Sequence, residues 1–311
     1  MARFIQTAVI TGPTGAVGTA LCKFLLNAGV TVFAVCRPGS SRANALPQDT
    51  VLHKVACDVA DYAKLPTLIH QPVDAFFHLA WAHTTGAGRN DMPSQIANIR
   101  GTVEAVSAAA SLGCKVFVGV GSQAEYGRSQ VPLCSNTPVF PENGYGMAKL
   151  CAGQMSRVEA HRLGMDHVWI RLLSVYGPYD SPNTMIMATI RKLLAGECPA
   201  LTAGEQQWDY LYASDAAHAL WLAAVQGHDS AVYPLGSGQA RPLRDYIIAL
   251  REAIDPRLTL GFGQLPYSPQ QVMYLQADIS TFQQDTGFTP FVSFENGIRQ
   301  TIAWVRKEKN V

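Results

Sequence analysis

The chain has 311 residues, of which 48% are hydrophobic and 15% are charged, so it has enough apolar residues to bury a sizeable core rather than remain disordered. The formal net charge is +1, which argues against nucleic acid or an anionic membrane surface as a partner. No apolar run approaches the ~20 residues that a membrane-spanning helix needs.

Short β-rich runs alternate with longer helical patterns in the first part of the chain. Strands are predicted at residues 7–11, 31–36, 51–57, 75–80, 115–120 and 166–172, and helices at 17–27, 94–112 and 145–163. Strands that alternate with helices of this length indicate βαβ units and a parallel sheet, and nearly continuous apolar runs are typical of strands buried on both faces. The sequence therefore predicts an α/β fold with a Rossmann-type doubly wound parallel sheet.

The pattern changes after Gly177 and Pro178. Prolines and glycines interrupt the rest of the chain, which favours short helices and irregular segments. We predict a dinucleotide-binding domain at residues 1–174 and a smaller C-terminal lobe, mainly for substrate binding, at 175–311. Parts of this lobe are expected to return to the sheet.

The N-terminus and the cysteines indicate a cytoplasmic protein. A strand-like run begins close to Phe4, and the sequence lacks the basic region, apolar stretch and cleavage site of a secretory signal. Seven cysteines are present, an odd number, and no two are spaced as Cys-x-x-Cys. We expect reduced thiols rather than disulfides or metal ligands, and no metal site.

A glycine-rich turn joins the first predicted strand to the first predicted helix. Glycine lets the backbone turn tightly and lets a pyrophosphate approach, while the helix N-terminus offers free N–H groups to it. The position at a strand–helix junction favours dinucleotide binding over a merely structural turn. The residues expected to bind the cofactor here are Gly12, Thr14, Gly15, Ala16, Val17 and Gly18.

The segment after the second strand bears on the choice of cofactor. It contains Arg37, Arg42 and two serines but no carboxylate, a composition that suits the 2′-phosphate of NADP(H) better than the free ribose hydroxyl of NAD(H). NADP(H) is therefore favoured, although both arginines are also compatible with solvated loop positions. Asp58 and Val59 follow the third strand, where Asp58 would suit the adenine amino group or cap a helix.

A tyrosine and a lysine four residues apart open the helix after the fifth strand. This spacing places Tyr145 and Lys149 on one helix face, so the ammonium is expected to lower the pKa of the phenol. Such a tyrosine can exchange a proton with a carbinol oxygen while hydride moves to or from nicotinamide. Ser122 lies at the end of the fifth strand, where its hydroxyl is expected to hold the substrate oxygen.

Several segments resemble the NAD-dependent epimerase/dehydratase family, the extended short-chain dehydrogenases that act on nucleotide sugars. The glycine spacing, His78-Leu79-Ala80, Asn98-Ile99-Arg100-Gly101-Thr102, the run from Arg171 to Pro178 and the run from Trp208 to Asp215 all resemble motifs of that family. The resemblance implies that Ser122, Tyr145 and Lys149 are catalytic and that Leu79 and Ala80 line the cofactor. It also implies a homodimer that pairs helices around residues 98–111 and 145–162.

The chain departs from the family at the substrate site. Ser174 and Trp208 stand where the family often has asparagine and arginine, which contact the nucleotide diphosphate. Gln123 and Ala124 stand where 4,6-dehydratases carry an acidic pair, which argues against dehydration. The candidate substrate contacts are His83, Gln123, Asn143, Ser174 and Trp208.

Three functions remain open on these residues. The favoured hypothesis is reduction of a 4-keto nucleotide sugar by NADPH, with Tyr145 as proton donor. The alternative is a 4-epimerase that keeps NAD bound and uses the same residues twice. A non-catalytic nucleotide-sensing protein is a third possibility, against which the intact Ser122, Tyr145 and Lys149 argue.

Overall fold

The computed structural model describes residues 2–309. The strands in this range are β1 (Thr7–Thr11), β2 (Thr31–Cys36), β3 (Leu52–Ala56), β4 (Ala75–His78), β5 (Val116–Ser122), β6 (Asp166–Leu172), β7 (Ser174–Tyr176), β8 (Gln207–Trp208), β9 (Tyr210–Tyr212), β10 (Val232–Leu235) and β11 (Arg241–Pro242). The α-helices are α1 (Ala16–Asn27), α2 (Leu65–Leu68), α3 (Met92–Ser111), α4 (Gly144–Arg162), α5 (Met185–Leu194), α6 (Ala213–Gln226), α7 (Leu243–Ile254), α8 (Ser280–Thr286) and α9 (Phe294–Lys309).

Seven of these strands form one parallel sheet in the order β10-β6-β5-β4-β1-β2-β3. The predicted α/β fold with a doubly wound parallel sheet is therefore confirmed. From the centre of the sheet, β2 and β3 follow on one side of β1. The chain then crosses to the other side, where β4, β5, β6 and β10 follow in turn. The glycine-rich turn after β1 lies at this reversal, where a crevice forms at the carboxyl ends of the strands.

Helices cover both faces of the sheet. On one face, Leu21 and Leu25 of α1 pack with the alanine-rich side of α6. On the other, Ala105 and Val106 of α3 lie in a second core with α2 and part of α4. Both cores exclude solvent from the sheet, which explains why the strands have nearly continuous apolar sequences. Within residues 2–309, no helix has the length and apolar character needed to cross a membrane.

The C-terminal region has its own core but also contributes to the sheet. Helices α5, α7 and α9 enclose an aromatic cluster that includes Tyr176, Tyr212, Tyr246 and Phe294. Strands β7 and β9 form a short parallel pair in this region. Strand β10 instead extends the main sheet beside β6, and α6 packs on α1, so the two regions share structure.

The fourth strand ends earlier in the structure than the sequence predicts. β4 ends at His78 rather than at residue 80, because the chain turns toward β1 there. The N–H groups of Leu79 and Ala80 donate to the hydroxyl of Thr11, at 3.2 and 3.3 Å. This turn brings Ala80 against the glycine-rich loop.

Candidate active site

The glycine-rich turn has the geometry that a dinucleotide phosphate requires. Gly12 has a φ of +68°, and a Cβ there would lie 2.8 Å from the backbone nitrogen of Ala80. A Cβ on Gly18 would overlap the carbonyl oxygen of Gly12. Gly15 is the N-cap of α1 and brings no side chain to the helix N-terminus, so the first-turn N–H groups stay accessible to an anion.

The other predicted cofactor residues surround this turn. Arg42 donates from Nη2 to the carbonyl oxygens of Thr14, at 2.7 Å, and Tyr179, at 2.9 Å, and so ties the loop to the C-terminal lobe. Arg37 is exposed at the end of β2. Asp58 caps the short 3-10 helix that begins at Val59, since its Oδ1 accepts from the N–H of Ala60 at 3.2 Å.

A buried polar network holds the loop after β4. His78 hydrogen-bonds to the hydroxyls of Thr11 and Thr102, at 2.9 and 3.1 Å. Asn98 of α3 both accepts from the N–H of Ala82 and donates to its carbonyl, each at 3.0 Å. Because the amide of Asn98 meets both backbone groups of one residue, it fixes the direction in which this loop leaves the sheet.

Ser122 is the last residue of β5 and the first of a capping box. Its Oγ accepts from the N–H of Ala124 at 3.2 Å, while its own N–H donates to Oε1 of Glu125 at 2.8 Å. Glu125 is fully buried and forms an ion pair with Arg171 at 2.6 Å. A buried carboxylate therefore fixes the backbone of the serine that the sequence proposes as catalytic.

Tyr145 lies in the first turn of α4, whose N-cap is Asn143. Oδ1 of Asn143 accepts from the N–H of Gly146 at 3.0 Å, which fixes the start of the helix. Desolvation raises the pKa of Tyr145, whereas the nearby hydroxyl of Ser122 and the charge of Arg89 act in the opposite direction. The guanidinium carbon of Arg89 lies 4.8 Å from the centre of the tyrosine ring.

Lys149 is buried one helical turn further along α4. Its Nζ donates to the carbonyl oxygen of Val120 at 2.6 Å and lies 3.8 Å from the centre of the Trp81 ring. Burial lowers the pKa of Lys149 to about 7, while the charge of Glu125 opposes this shift. The cation that acts on the phenol of Tyr145 here is thus Arg89, because the ammonium of Lys149 is engaged by Val120 and Trp81.

A polar cleft of about 540 Å³ opens between the loop after β4, the segment after β5 and the N-terminus of α4, and its lining includes the sequence neighbours of Ser122 and Tyr145 but not these two residues. Gln123 and Asn143, both predicted to contact substrate, line it together with Arg89. The other predicted contacts lie elsewhere in the site region. Ser174 and Trp208 hydrogen-bond to each other, with Nε1 donating to Oγ at 2.9 Å, and His83 is exposed in the loop after β4 with a φ of +57°.

Four residues at the site were missed from sequence. Trp81 and Arg89 come from the loop after β4 and meet α4 only in the folded chain, so no local pattern indicates them. Asn90, next to Arg89, anchors this loop by accepting from the N–H of Gly144 at 2.9 Å. Glu125 did have a sequence signal, because a serine followed three residues later by glutamate is typical of a capping box.

Comparison with known proteins supports an assignment to a family. The sequence profile described as the NAD dependent epimerase/dehydratase family matches residues 8–236. A dTDP-glucose 4,6-dehydratase of Shigella flexneri is 23% identical, over 97% of this chain and 93% of that protein.

Two solved structures have the same fold. A UDP-N-acetylglucosamine 4-epimerase from Methanobrevibacter ruminantium M1, in complex with UDP-N-acetylmuramic acid, superposes with a TM-score of 0.88 at 22% identity, covering 98% of this chain and all of that one. A UDP-glucuronic acid 4-epimerase from Bacillus cereus, in complex with NAD, has a TM-score of 0.84 at 20% identity, covering 97% and 99%. The chain is an enzyme of the extended short-chain dehydrogenase type and belongs to the NAD-dependent epimerase/dehydratase family.

Proposed function

We propose that this enzyme reduces a 4-keto nucleotide sugar with NADPH, and that Tyr145 donates the proton to the new hydroxyl. The observation that carries the proposal is that Tyr145, in the first turn of α4, lies close to the hydroxyl of Ser122 at the end of β5. A phenol and a hydroxyl that converge in this way can hold one carbonyl oxygen and protonate it.

The residues around the glycine-rich turn fit a nicotinamide dinucleotide. The tight approach of Gly12 to Ala80 and the open N-terminus of α1 leave room and N–H donors for a pyrophosphate. When bound, such a cofactor supplies or accepts a hydride. Leu79, Ala80, Asp58 and Val59 would line it, because the carboxyl ends of β3 and β4 converge on the same crevice.

NADP(H) is favoured over NAD(H). β2 ends at Cys36, and no carboxylate follows it before Asp49. The exposed guanidinium of Arg37 is accessible to a 2′-phosphate. Arg42, already bonded to two carbonyl oxygens, would contribute its positive charge to the same loop.

Each polar side chain of the candidate site has a distinct role in this proposal. Tyr145 transfers the proton and Ser122 orients the reacting oxygen. Lys149 adds positive charge beneath the site. Gln123 and Asn143 bind sugar hydroxyls, whereas Ser174, Trp208 and His83 contact more distant parts of the substrate. Because Gln123 and Ala124 carry no carboxyl group, these two positions do not supply the acid–base pair that elimination of water would need.

A 4-epimerase is the second candidate. The two solved structures described above are 4-epimerases of UDP sugars, and one of them was determined with NAD. The same tyrosine and serine could serve oxidation at carbon 4 and then reduction from the other face. In that case the nicotinamide cofactor would stay bound and no NADPH would be consumed.

The purified enzyme tests the proposal directly. Nucleotide released by denaturation is identified, and NADPH oxidation is followed with a panel of UDP- and dTDP-linked 4-keto sugars. We expect net NADPH consumption, loss of turnover in Tyr145→Phe of at least about a hundredfold and nearly unchanged NADPH binding. Tyr179→Phe, whose ring packs on Trp304 outside the cleft, is the matched control. Tightly bound NAD with no net consumption of NADPH would favour the epimerase instead.

We also propose a homodimer formed through α3 and α4. These helices pack side by side, and their outer surface carries exposed apolar side chains. Ile96 is 65% exposed, Val158 62% and Met155 48%. Exposed apolar side chains on two adjacent helices are typical of a protein–protein interface.

A further inference from the structure

An arginine with an unused donor lines the cleft and lies against the proposed catalytic tyrosine. Arg89 is part of the cleft lining, and its guanidinium carbon lies 4.8 Å from the centre of the Tyr145 ring. The side chain is half-buried, and its Nε is enclosed without a hydrogen-bond partner among the residues that the structure describes. A guanidinium is always charged and carries five N–H donors, so an enclosed donor without an acceptor points to an acceptor that a ligand supplies.

The other charged side chains around the cleft are engaged elsewhere. Arg128 donates from Nε to both carboxylate oxygens of Glu142, at 3.0 and 2.9 Å. Asp91, only two residues after Arg89, accepts a hydrogen bond from the hydroxyl of Ser94. The charged residues in the cleft lining are two arginines and one glutamate, and the glutamate is paired with Arg128. One positive charge of the lining therefore has no counterion, and it belongs to Arg89.

The loop that carries Arg89 is held in place on two sides. Gln95 of α3 is 2% exposed and donates from Nε2 to the carbonyl oxygen of Gly88 at 3.1 Å. On the other side, Asn90 accepts from the N–H of Gly144 at 2.9 Å, and a Cβ on Gly144 would lie 3.0 Å from the carbonyl oxygen of Arg89. The backbone of the arginine is thus fixed against the start of α4, which lowers the entropy cost of binding a ligand there.

We propose that Arg89 binds a carboxylate carried by the sugar of the substrate, and that the enzyme prefers acidic sugars to neutral ones for this reason. The inference rests on the proposed function and deepens it, because it names the substrate class of the same site. A carboxylate is planar and offers two acceptors that match the fork of a guanidinium, whereas a hydroxyl group cannot neutralise its charge.

The position of Arg89 favours the sugar over the diphosphate as the source of this anion. The reacting carbon has to meet the phenol of Tyr145, and the guanidinium lies against the ring of that same side chain. A group that reaches the guanidinium is therefore a substituent close to carbon 4, on carbon 5 or on the oxygen of carbon 3. The diphosphate is attached to carbon 1, across the sugar ring from carbon 4, and lies further away.

Matched pairs of nucleotide sugars test the preference. UDP-glucuronic acid is compared with UDP-glucose, and UDP-N-acetylmuramic acid with UDP-N-acetylglucosamine, since only the first compound of each pair carries a carboxylate on the sugar. The measured quantity is kcat/KM for NADPH formation from NADP⁺, the reverse of the proposed reduction. We expect wild type to prefer the acid of at least one pair and Arg89→Met to lower that preference at least about tenfold.

Arg128→Met is the matched control. It removes the same charge from the same cleft, but from a guanidinium already paired with Glu142, so it should change the preference no more than about twofold. Arg89→Lys keeps the charge without the planar fork and should retain part of the preference. An effect of Arg89 on the phenol of Tyr145 would change the turnover of acid and neutral sugar alike and leave their ratio unmoved. The proposal is overturned by the absence of a preference in wild type, by an unchanged ratio in Arg89→Met, or by an equal change in Arg128→Met.

Binding measured without turnover separates this inference from the proposed function. Isothermal titration calorimetry with NADP⁺ present gives dissociation constants for the same four sugars and for UDP alone. If Arg89→Met loses as much affinity for UDP as for the acids, the anion belongs to the diphosphate and the assignment to the sugar is wrong. If Arg89 governs the affinity for acids but no nucleotide sugar is oxidised or reduced, the proposed function fails and the carboxylate site stands. Reduction of 4-keto sugars with no preference for acids in binding would give the opposite result.

Discussion

Arg89 shows how a residue distant in sequence can affect the proposed catalytic tyrosine. Its guanidinium carbon lies 4.8 Å from the ring centre of Tyr145, and its Nε has no hydrogen-bond partner within residues 2–309. A cation over a phenol favours the phenolate. The positive charge lowers the pKa of Tyr145 against the desolvation that raises it.

Replacing Arg89 with methionine should therefore raise the pKa of Tyr145. The limb of the pH profile that reports this tyrosine should move to higher pH, and turnover near neutral pH should fall roughly tenfold. Arg89→Lys keeps a positive charge and should lie between methionine and wild type. The initial rate of NADPH oxidation is measured from pH 5 to 10. If this limb lies at the same pH in Arg89→Met as in wild type, then the arginine does not act on the pKa of Tyr145 and contacts only the substrate.

The strands and the placement of Tyr145 and Lys149 on one helix were predictable because their signals are local. β1, β2 and β6 have the predicted bounds, since strands buried on both faces form unbroken apolar runs flanked by turns. The spacing of Tyr145 and Lys149 was likewise readable from one helix. The contacts of Lys149 were not, because Val120 lies within β5 and Trp81 in the loop after β4, both far from Lys149 in sequence.

The C-terminal elements were harder to predict for a similar reason. β7 and β9 have three residues each, and β8 and β11 have two. Such short segments have no periodicity to detect and depend on partners far away in the chain. β10 contains Pro234, which disfavours a central strand; the structure places it at the edge of the sheet.

At the level of elements, the β1–α1 turn should tolerate no side chain at Gly12. In Gly12→Ala the added Cβ would lie 2.8 Å from the nitrogen of Ala80, and the backbone on both sides is fixed by the sheet. We expect NADPH affinity to fall at least about a hundredfold, in addition to a loss of stability of about 1 kcal/mol or more from the positive φ. Fluorescence titration with NADPH and thermal unfolding measure the two effects.

Gly113 provides the matched control for that variant. It also has a positive φ, of +85°, but nothing lies within 4 Å of its added Cβ. Gly113→Ala should therefore lose stability through backbone strain alone and keep its affinity for NADPH. Equal affinity loss in both variants would mean that strain, rather than obstruction of the turn, explains the effect of Gly12→Ala.

At the scale of the whole molecule, the two helical layers differ in what they leave exposed. The layer of α1 and α6 is joined to the C-terminal lobe, since Lys23 of α1 lies over the ring of Tyr179 and α6 follows directly from β9. The layer of α3 and α4 carries exposed Ile96, Met155 and Val158 on its outer side. A second copy of the chain on this surface would bury these apolar side chains.

The proposed dimer predicts that charge on this surface separates the subunits. Wild type should elute at twice the chain mass in size-exclusion chromatography with light scattering. Ile96→Glu combined with Val158→Glu should elute at the monomer mass, because four carboxylates would be buried without partners in each dimer. Phe291→Glu changes a residue that is 64% exposed on the C-terminal lobe and should leave the mass unchanged. A monomeric wild type, or a dimer that survives the double substitution, would exclude α3 and α4 as the contact.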